Sequence, residues 1–301
     1  MGIIYRQAKM LLDARESGLA MDRLLMIGHQ SLLLHPTELR AIQRVCPGAL
    51  ADYKWGEYAD RFFTECLGVS QVSTLDYSPY EGADILHDLN QPVPASLKGR
   101  FDVVVEAGSL EHVFHFPIAI ANLMQMTKVG GTIFASTVSN NLCGHGFYQF
   151  SPELIFRIFT DENGFELGKV LALEARYPGV ELSPISQAFE VADPARAGGR
   201  VGLMTEGPIL LLFDAHKTAE SSLFAKIPMQ SDYVAAWTSD ERPAGSRVPQ
   251  WIKNLPFYSA LRTWLHGTFI LQTSHNFLTG QRQLREFSLK NRRFFKRLNK
   301  S

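Results

Sequence analysis

Cysteine is scarce in this sequence, charge of either sign is not in excess, and long apolar runs are missing. The chain has only three cysteines, Cys46, Cys66 and Cys143, whose odd number and irregular spacing fit neither a disulfide framework nor a metal-binding motif. Thirty basic residues offset thirty acidic ones, so overall charge does not favour a nucleic-acid partner. No segment is apolar over the roughly 18 residues of a membrane span, and residues 1–20 lack the apolar core of a secretion signal. We therefore expect a cytoplasmic protein.

What the sequence does have is an alternation of short apolar segments with longer amphipathic ones. We predict strands for residues 23–28, 71–76, 83–86, 101–106, 132–138, 165–173 and 208–213. We predict helices for residues 36–45, 53–67, 116–128 and 152–162. This order predicts an α/β fold with a doubly wound, mostly parallel, seven-stranded Rossmann-like sheet covered by helices on both faces. Ligands of such sheets bind at the carboxyl ends of the strands, where the strand order reverses.

Local signals mark several boundaries of these elements. Thr37 is a candidate N-cap of the helix over residues 36–45, and Ser151 is one for the helix over residues 152–162. Asn163-Gly164 predicts a left-handed end to the second of these helices. Gly130-Gly131 predicts a turn before the strand that begins near residue 132.

The chain divides into three parts on composition. We expect an N-terminal helical segment in residues 1–20 and an α/β domain in residues 21–239, with insertions near residues 36–67 and 177–207. Residues 240–301 begin as a polar linker and continue as a helical C-terminal extension.

This extension is strongly basic at its end and predicts an amphipathic helix. Its basic residues are Arg282, Arg285, Lys290, Arg292, Arg293, Lys296, Arg297 and Lys300. The apolar residues between them are Leu284, Phe287, Leu289, Phe294, Phe295 and Leu298. Such a helix either contacts an anionic membrane surface or packs its apolar side on the domain, and we favour packing.

Several strings within residues 21–175 resemble the class I S-adenosylmethionine-dependent methyltransferases. The strings are Asp84-Ile85-Leu86-His87-Asp88-Leu89-Asn90, then Phe101 to Val113 with its Leu110-Glu111-His112 segment, then Lys128-Val129-Gly130-Gly131. A further string, Gly144-His145-Gly146-Phe147-Tyr148-Gln149-Phe150-Ser151-Pro152-Glu153, is similar to a bacterial subgroup whose substrate is unassigned. The resemblance implies a methyltransferase sheet, S-adenosyl-L-methionine as cofactor and transferase activity.

The same resemblance implies which residues bind the cofactor. Asp76, at the end of the second predicted strand, would accept hydrogen bonds from the two ribose hydroxyls, and a carboxylate suits a vicinal diol. Asp88 and Leu89 would contact the adenine. Glu106, Ala107 and Gly108 would lie beside the methyl donor at the end of the fourth strand. The alternative for Asp76 and Asp88 is a role in forming turns.

The sequence departs from the family where a glycine-rich loop is expected after the first strand. Only Gly28 remains of that pattern, and His29 and Gln30 follow it. Because the missing glycines allow close approach of backbone to ligand, either the pocket is remodelled or the domain does not bind the cofactor. We favour a changed pocket and include Gly28, His29 and Gln30 among the cofactor-binding candidates.

Transfer of a methyl group to a hydroxyl needs a base, and histidine is the natural candidate. His145 lies between two glycines in the loop after the fifth strand, and Glu111 and His112 complete the candidate catalytic group. Tyr148 and Gln149 are candidate substrate-binding residues. Alternatively, His145 only holds its loop in place. We expect no metal site, because Glu111, His112 and His115 do not follow a known ligand pattern.

The sequence thus favours O-methylation of a small-molecule or glycan-type acceptor. Two alternatives stay open: a non-catalytic methyltransferase-like module that binds or assembles with a partner, and a domain that binds another nucleotide.

Overall fold

The structure is a computed structural model that describes residues 2–175, 187–238 and 286–298. Its strands are β1 Gly2–Ile4, β2 Arg23–Ile27, β3 Ser31–Leu33, β4 Gln71–Asp76, β5 Ile85–Leu86, β6 Phe101–Ala107, β7 Thr127–Asn140, β8 Phe165–Glu174, β9 Gln187–Val191, β10 Ile209–Lys217 and β11 Phe295–Arg297. Its helices are α1 Tyr5–Glu16, α2 Pro36–Val45, α3 Phe116–Met126, α4 Pro152–Ile158, α5 Pro194–Ala197 and α6 Ser231–Thr238. Short helical turns occupy Phe62–Cys66, Ala95–Leu97, Leu110–His112 and Asp161–Asn163.

Nine of the strands form one mixed sheet in the order β11-β9-β8-β10-β7-β6-β2-β4-β5. From β5 to β7 neighbouring strands are parallel, and from β7 to β11 they are antiparallel. The chain builds outward from β2, first through β4 and β5 on one side and then through β6 and β7 on the other. The strand order therefore reverses between β2 and β6.

Both faces of this sheet are covered, as the alternation of side chains along β2 shows. Leu25 and Ile27 belong to a buried cluster that includes residues of α3 and α4. Leu24 and Met26, which point to the opposite face, belong to a second cluster with residues of α1 and of the turn Phe62–Cys66. The expectation of an α/β sheet with helices on both faces is met.

The expectation of seven mostly parallel strands was wrong in number and partly in direction. β9 lies in the predicted insertion and β11 near the C-terminus, and together they extend the sheet to nine strands. Short segments of this kind become strands only when a neighbouring edge supplies their hydrogen bonds, and their own sequence gives little indication of it.

The helix predicted over residues 53–67 is also shorter than expected. Only its end forms a helical turn, Phe62–Cys66, because the preceding backbone pairs with the segment after β2. Glu57 O accepts a bond from Leu32 N at 2.7 Å, and Ala59 N donates to Gln30 O at 2.9 Å. These tertiary hydrogen bonds replace the ones that a helix would make.

Three of the predicted boundaries moved. The N-cap of α2 is His35 rather than Thr37, because Glu38 accepts a bond from His35 N at 2.9 Å. Gly130-Gly131 lies inside β7 rather than in a turn, where a Cβ on Gly131 would come within 2.6 Å of Asp102 O. The helix capped by Ser151 ends at Ile158 instead of residue 162. The cap itself is confirmed, since Ser151 Oγ accepts from Leu154 N at 3.3 Å.

The prediction of a basic C-terminal helix was wrong for the part of it that the structure describes. Residues 295–297 form strand β11, which pairs with β9, and residues 287–298 are not helical. Leu289, Phe294 and Phe295 are buried in the main core, while Lys296 and Arg297 are exposed. The apolar side chains therefore pack on the domain. Arg282, Arg285, Lys300 and the linker at residues 240–247 lie outside the described residues.

Among the described helices, none combines the length and the apolar character that crossing a bilayer requires.

Candidate functional site

A crevice of about 410 Å³ opens at the carboxyl ends of the parallel strands, at the point where the strand order reverses. Its walls include Gly28 after β2, Asp76 at the end of β4, Asp88 after β5, and Gly108 after β6. This volume lies within the range of small-molecule sites, roughly 300–1,000 Å³. The position agrees with the ligand site expected for a doubly wound sheet.

Asp76 contributes a carboxylate to this crevice. Its Oδ1 accepts a long bond from Ser78 N at 3.3 Å, and Oδ2 lies 3.9 Å from the place that a Cβ on Gly28 would occupy. Gly28 has a φ of +71°, a left-handed conformation that glycine adopts without strain. The end of β4 therefore faces the turn after β2 across a narrow gap.

Asp88 and Leu89 form the opposite wall. Asp88 Oδ1 accepts bonds from the Asn90 backbone N at 2.9 Å and from Asn90 Nδ2 at 2.8 Å. These hydrogen bonds, first the one from the backbone and then the one from the side chain, lower the pKa of Asp88. Asn122 on α3 holds the segment in place by donating to Leu89 O at 3.2 Å and Gln91 O at 2.8 Å. The only signal for Asn122 in the sequence is that a polar residue stands within an apolar helix.

The segment that replaces the glycine-rich loop is a strand. Residues 31–33 form β3, which pairs in parallel with β1 in a separate two-stranded sheet. His29 does not line the crevice: its Nδ1 lies 2.6 Å from Glu81 O and its Nε2 lies 2.8 Å from Asp60 Oδ2. Burial lowers the pKa of His29, but these hydrogen bonds outweigh it, and the net pKa is raised. His29 thus ties three loops together.

Gln30 is buried beneath the turn rather than exposed to a ligand. Its Nε2 donates to Ile27 O and lies 3.4 Å from Ser109 Oγ. Ser109 Oγ in turn donates to Ile27 O at 3.0 Å, which joins the ends of β2 and β6. Gln30 and Ser109 therefore support the crevice floor. Ser109 also lines the crevice, and we did not predict it.

Glu106 serves the loop that follows it. Its side chain is fully buried, and Oε1 accepts bonds from the backbone N of Gly108 at 2.8 Å, of Leu110 at 3.1 Å and of Ser109. Burial, and then the charge of Glu111, raise the pKa of Glu106 to about 8. Glu106 and the buried Ala107 are absent from the crevice wall, whereas Gly108 forms part of it.

Next to the crevice, Glu111 and His145 come together from two different loops. The Glu111 side chain is completely buried, and its Oε2 accepts from Thr137 Oγ1 on β7 at 3.1 Å. Its Oε1 lies 3.7 Å from His145 Nε2, and among the described residues neither atom has a hydrogen-bond partner. Burial raises the pKa of Glu111.

The loop that carries His145 is pressed against the backbone of Glu111. Glu111 O accepts from Phe147 N at 2.8 Å and from Tyr148 N at 3.3 Å. A Cβ on Gly146 would come within 2.8 Å of the same oxygen, so only glycine fits there without a shift. At the neighbouring Gly144, an added Cβ would meet no atom within 4 Å. One of the two glycines is therefore required by the packing of this loop.

His112 connects this pair to the crevice. It lines the crevice wall, and its ring centroid lies 5.0 Å from that of His145. Partial burial, and then the proximity of His145, lower the pKa of His112, which favours a neutral imidazole. The three predicted catalytic residues, Glu111, His112 and His145, are thus adjacent.

Tyr148 and Gln149 are mainly engaged within the protein. Tyr148 donates its hydroxyl to Phe114 O at 2.7 Å and stacks on Phe150. Gln149 accepts from Leu142 N at 2.9 Å and donates to Cys143 Sγ at 3.1 Å. Both contacts shape the loop around His145. Gln149 also lines a separate cavity of about 530 Å³.

Comparison with known proteins adds little to this description. No protein-family description matches the sequence, and no curated protein matches it. Similar solved structures include the N-methyltransferase NodS from Bradyrhizobium japonicum, 17% identical with a TM-score of 0.37 over 71% of this chain and 96% of that one. A possible histamine N-methyltransferase from Thermotoga maritima is 16% identical, with a TM-score of 0.39 over 71% and 91%. The cyclase SpnF is 12% identical, with a TM-score of 0.38 over 72% and 81%. Similarities this weak do not establish a family or a function, so function is inferred from the residues of the site.

Proposed function

We propose that the protein is an S-adenosylmethionine-dependent methyltransferase that methylates an oxygen of a small-molecule or glycan-type acceptor. The observation that carries the proposal is the juxtaposition of two features at the reversal of strand order. One is a crevice with Asp76 and Asp88 at the ends of neighbouring parallel strands. The other is the Glu111–His145 pair, which His112 connects to that crevice.

The residues of the crevice fit the cofactor. The Asp76 carboxylate suits the ribose hydroxyls, and the left-handed Gly28 lets a ligand approach the backbone after β2. Asp88 and the segment at Leu89 offer acceptors for the amino group of an adenine. Gly108 allows the same close approach on the other side of the crevice. S-adenosylmethionine would supply a methyl group already activated for transfer.

Residues of the protein would carry out the remaining steps. The acceptor must be held with its hydroxyl in line with the methyl group, and a base must take the hydroxyl proton as the new bond forms. His145 is the candidate base. Because its Nε2 is buried and faces Glu111 Oε1 at 3.7 Å, the proton would be taken at the other ring nitrogen, and Glu111 would stabilise the imidazolium that results. Because Glu111 is buried, its charge acts in a region of low dielectric constant.

Exposed aromatic rings beside the base favour an acceptor with an apolar face. Phe114 and Phe147 are 62% and 68% exposed, and their ring centroids lie 6.2 Å apart in an edge-to-face arrangement. Each follows a residue of the catalytic group by two positions, Phe114 after His112 and Phe147 after His145. A sugar ring or a small aromatic compound would pack against such a pair.

A second candidate function, a non-catalytic module, is favoured by one observation. The backbone of residues 30–32, where a glycine-rich loop would bind ligand, is hydrogen-bonded to residues 56–59 instead. A domain that binds another nucleotide stays a third candidate, because a strand-end carboxylate recognises ribose and not the rest of a ligand.

The deciding experiment is calorimetric titration with S-adenosylmethionine and S-adenosylhomocysteine, on the wild type and on Asp76→Ala. We expect binding by the wild type and a dissociation constant raised about 10- to 100-fold in the variant, because hydrogen bonds to a charged group contribute about 1.5–3 kcal/mol. Asp193→Ala, which removes a carboxylate far along the chain at the N-cap of α5, is the control and should bind normally. Folded wild-type protein that binds neither compound would contradict the proposal.

Catalysis is tested separately in protein that binds the cofactor. With an acceptor in hand, His145→Ala should lower turnover about 10²- to 10⁴-fold while leaving cofactor affinity unchanged. Unchanged turnover would remove His145 from the mechanism and leave the cofactor site in place.

The cytoplasmic location, the limits of the domains and the membrane contact of the C-terminal segment remain parts of this proposal. The buried positions of Phe294 and Phe295 mean that a membrane contact near them would depend on exposed basic residues such as Lys296 and Arg297.

A further inference from the structure

Three side chains of metal-ligand type converge beside the crevice. Glu111 and His112 come from the turn after β6, and His145 comes from the loop after β7. One ligand atom from each residue lies within 4.8 Å of the other two. We expected no metal from the sequence because we considered Glu111 and His112 together with His115. The fold brings His145 to this position instead.

The buried carboxylate of this cluster lacks a partner. Glu111 is fully buried, and only its Oε2 is hydrogen-bonded within the described structure. Its Oε1 faces His145 Nε2 at 3.7 Å, which is too long for a hydrogen bond, and that nitrogen is buried and equally unsatisfied. Leaving two such atoms unpaired is costly, so an atom that bonds to both would stabilise the arrangement.

The distance between Glu111 Oε1 and His145 Nε2 suits two ligands of one metal ion better than a direct hydrogen bond. Two ligands at about 2.0–2.2 Å from a tetrahedral zinc ion lie about 3.4 Å apart. The 3.7 Å between Glu111 Oε1 and His145 Nε2 is close to that value. The three ligand atoms lie up to 4.8 Å apart, so the most distant of them would have to approach each other by about 1.4 Å on binding an ion.

The surroundings hold the carboxylate and the loop in place. Thr137 Oγ1 donates to Glu111 Oε2, a bond to the outer oxygen of the kind that commonly orients metal-binding carboxylates. The Glu111 backbone anchors the loop of His145 through Phe147 N. The orientation of the Glu111 carboxylate and the position of the His145 loop are therefore determined by contacts that do not involve an ion.

We propose that Glu111, His112 and His145 bind one divalent transition-metal ion of the zinc type, with a fourth coordination position open to the crevice. Two imidazoles and one carboxylate form a donor set that zinc accepts in catalytic sites, and in such sites the remaining position takes water or substrate. His112 lines the crevice, so this position would be reached from there.

Binding of an ion at this site does not require that the protein transfers a methyl group. In the proposed reaction, however, the ion would change how the acceptor hydroxyl loses its proton. A hydroxyl bound to the ion would release its proton to water in the crevice more readily, because a metal ion lowers the pKa of coordinated water and hydroxyl groups. His145 would then act as a ligand rather than as the base. Both roles require the same three side chains.

The test uses full-length, tag-free protein that has been stripped with a chelator and titrated with Co²⁺ and with Zn²⁺. We expect one Co²⁺ per chain, with the visible absorption of four-coordinate cobalt and displacement by Zn²⁺. In His145→Ala the affinity should fall more than about 100-fold, since loss of a second-sphere partner alone costs about 10- to 100-fold. His115→Ala is the matched control, because His115 lies in the same segment outside the cluster and should bind as the wild type does.

A second variant guards against misfolding. His112→Ala removes an exposed ligand, so a loss of cobalt binding in a variant with an unchanged melting temperature supports the site. A stripped wild type that binds no cobalt, or cobalt binding that is equal in His145→Ala and His115→Ala, would overturn the inference. Calorimetry with S-adenosylhomocysteine on the stripped protein then shows whether the cofactor still binds when the metal site is empty.

Discussion

The two halves of the large sheet differ in what lies at the ends of their strands. From β5 to β7 the strands are parallel, and their carboxyl ends lie at the same edge, where Asp76, Asp88 and the Glu111 segment are found. From β10 to β11 neighbouring strands run in opposite directions, so the loops that follow them lie at opposite edges of the sheet. Parallel strands thus gather polar side chains into one site, and antiparallel strands disperse them.

Polar residues of the antiparallel half serve packing instead. Asp214 in β10 sits at an irregularity opposite Gly168 of β8 and accepts a bond from Lys169 N at 3.0 Å. Burial raises the pKa of Asp214, as it does for Glu111 in the other half. A buried carboxylate therefore marks a candidate site only where the topology brings other reactive groups to it.

In the antiparallel half, Gly168→Ala should lower the stability of the protein. The new Cβ would lie 1.9 Å from Asp214 Oδ2, so the carboxylate must move. Overpacking of this kind costs about 1–3 kcal/mol, and thermal unfolding should begin several degrees lower while cofactor affinity stays unchanged. The double variant Gly168→Ala with Asp214→Ala removes the clash and should recover part of the loss. A weaker cofactor affinity in Gly168→Ala would mean that the two halves are not independent.

A comparable substitution in the parallel half should affect activity more than stability. In Gly146→Ala the Cβ would press on Glu111 O, displacing the loop of His145, and turnover should fall about 10-fold or more. Gly144→Ala, two residues earlier and in open space, is the matched control and should retain turnover. Equal turnover in the two variants would show that the position of this loop does not matter for catalysis.

A smaller, pH-dependent effect is expected from Glu106. Its folded pKa of about 8 lies above the ordinary value of 4.5, so the folded chain holds a proton that the unfolded chain has lost. The contribution of Glu106 to stability is therefore fully present below about pH 4.5 and is lost as the pH rises through about 8.

Denaturation with urea at pH 5 and pH 8.5 measures this effect. The wild type should lose more stability between the two pH values than Glu106→Gln, whose amide oxygen still accepts from the loop and does not ionise. Glu106→Gln with an equal or steeper decline would mean that Glu106 is ionised in the folded protein.

The local sequence pattern was sufficient to predict the elements whose formation depends on their own residues. β6 was predicted over residues 101–106 because Phe101 and three consecutive valines form a short apolar segment, and every residue of the observed strand Phe101–Ala107 is buried. α2 was predicted with the bounds that it has, because Pro36 starts it and the apolar spacing continues to Val45. In both cases the signal lies in the residues of the segment itself, although the hydrogen bonds of β6 are made to β2 and β7.

Elements that depend on distant partners were missed or misplaced. β3 is only three residues long and exists because β1, from the N-terminus, pairs with it. β11 exists because the edge of β9 offers unpaired backbone groups, although its sequence suggested an amphipathic helix. A short apolar segment does not reveal which edge will pair with it.

The residues of the candidate site also fall into two groups, those that the sequence indicated and those whose role only the structure revealed. Asp76, Asp88 and Gly108 were implied by the resemblance of their motifs to a known family, and the structure brings them into one crevice. For Glu106 and Gln30 the sequence did not show that the side chain turns back to support its own loop. Residue type and position along a strand predict exposure to a crevice, but the rotamer and its partners are set by packing.

By itself, the sequence determined the α/β alternation, the parallel strands around β2, and the edge at which polar residues would collect, because apolar periodicity and the alternation of strands with helices are local properties that repeat along the chain. Only the tertiary structure decided that β3 would replace a glycine-rich loop, and that His145 would meet Glu111 and His112 across two loops. Those arrangements rest on contacts between residues far apart in sequence, whose geometry exists only once the sheet has formed.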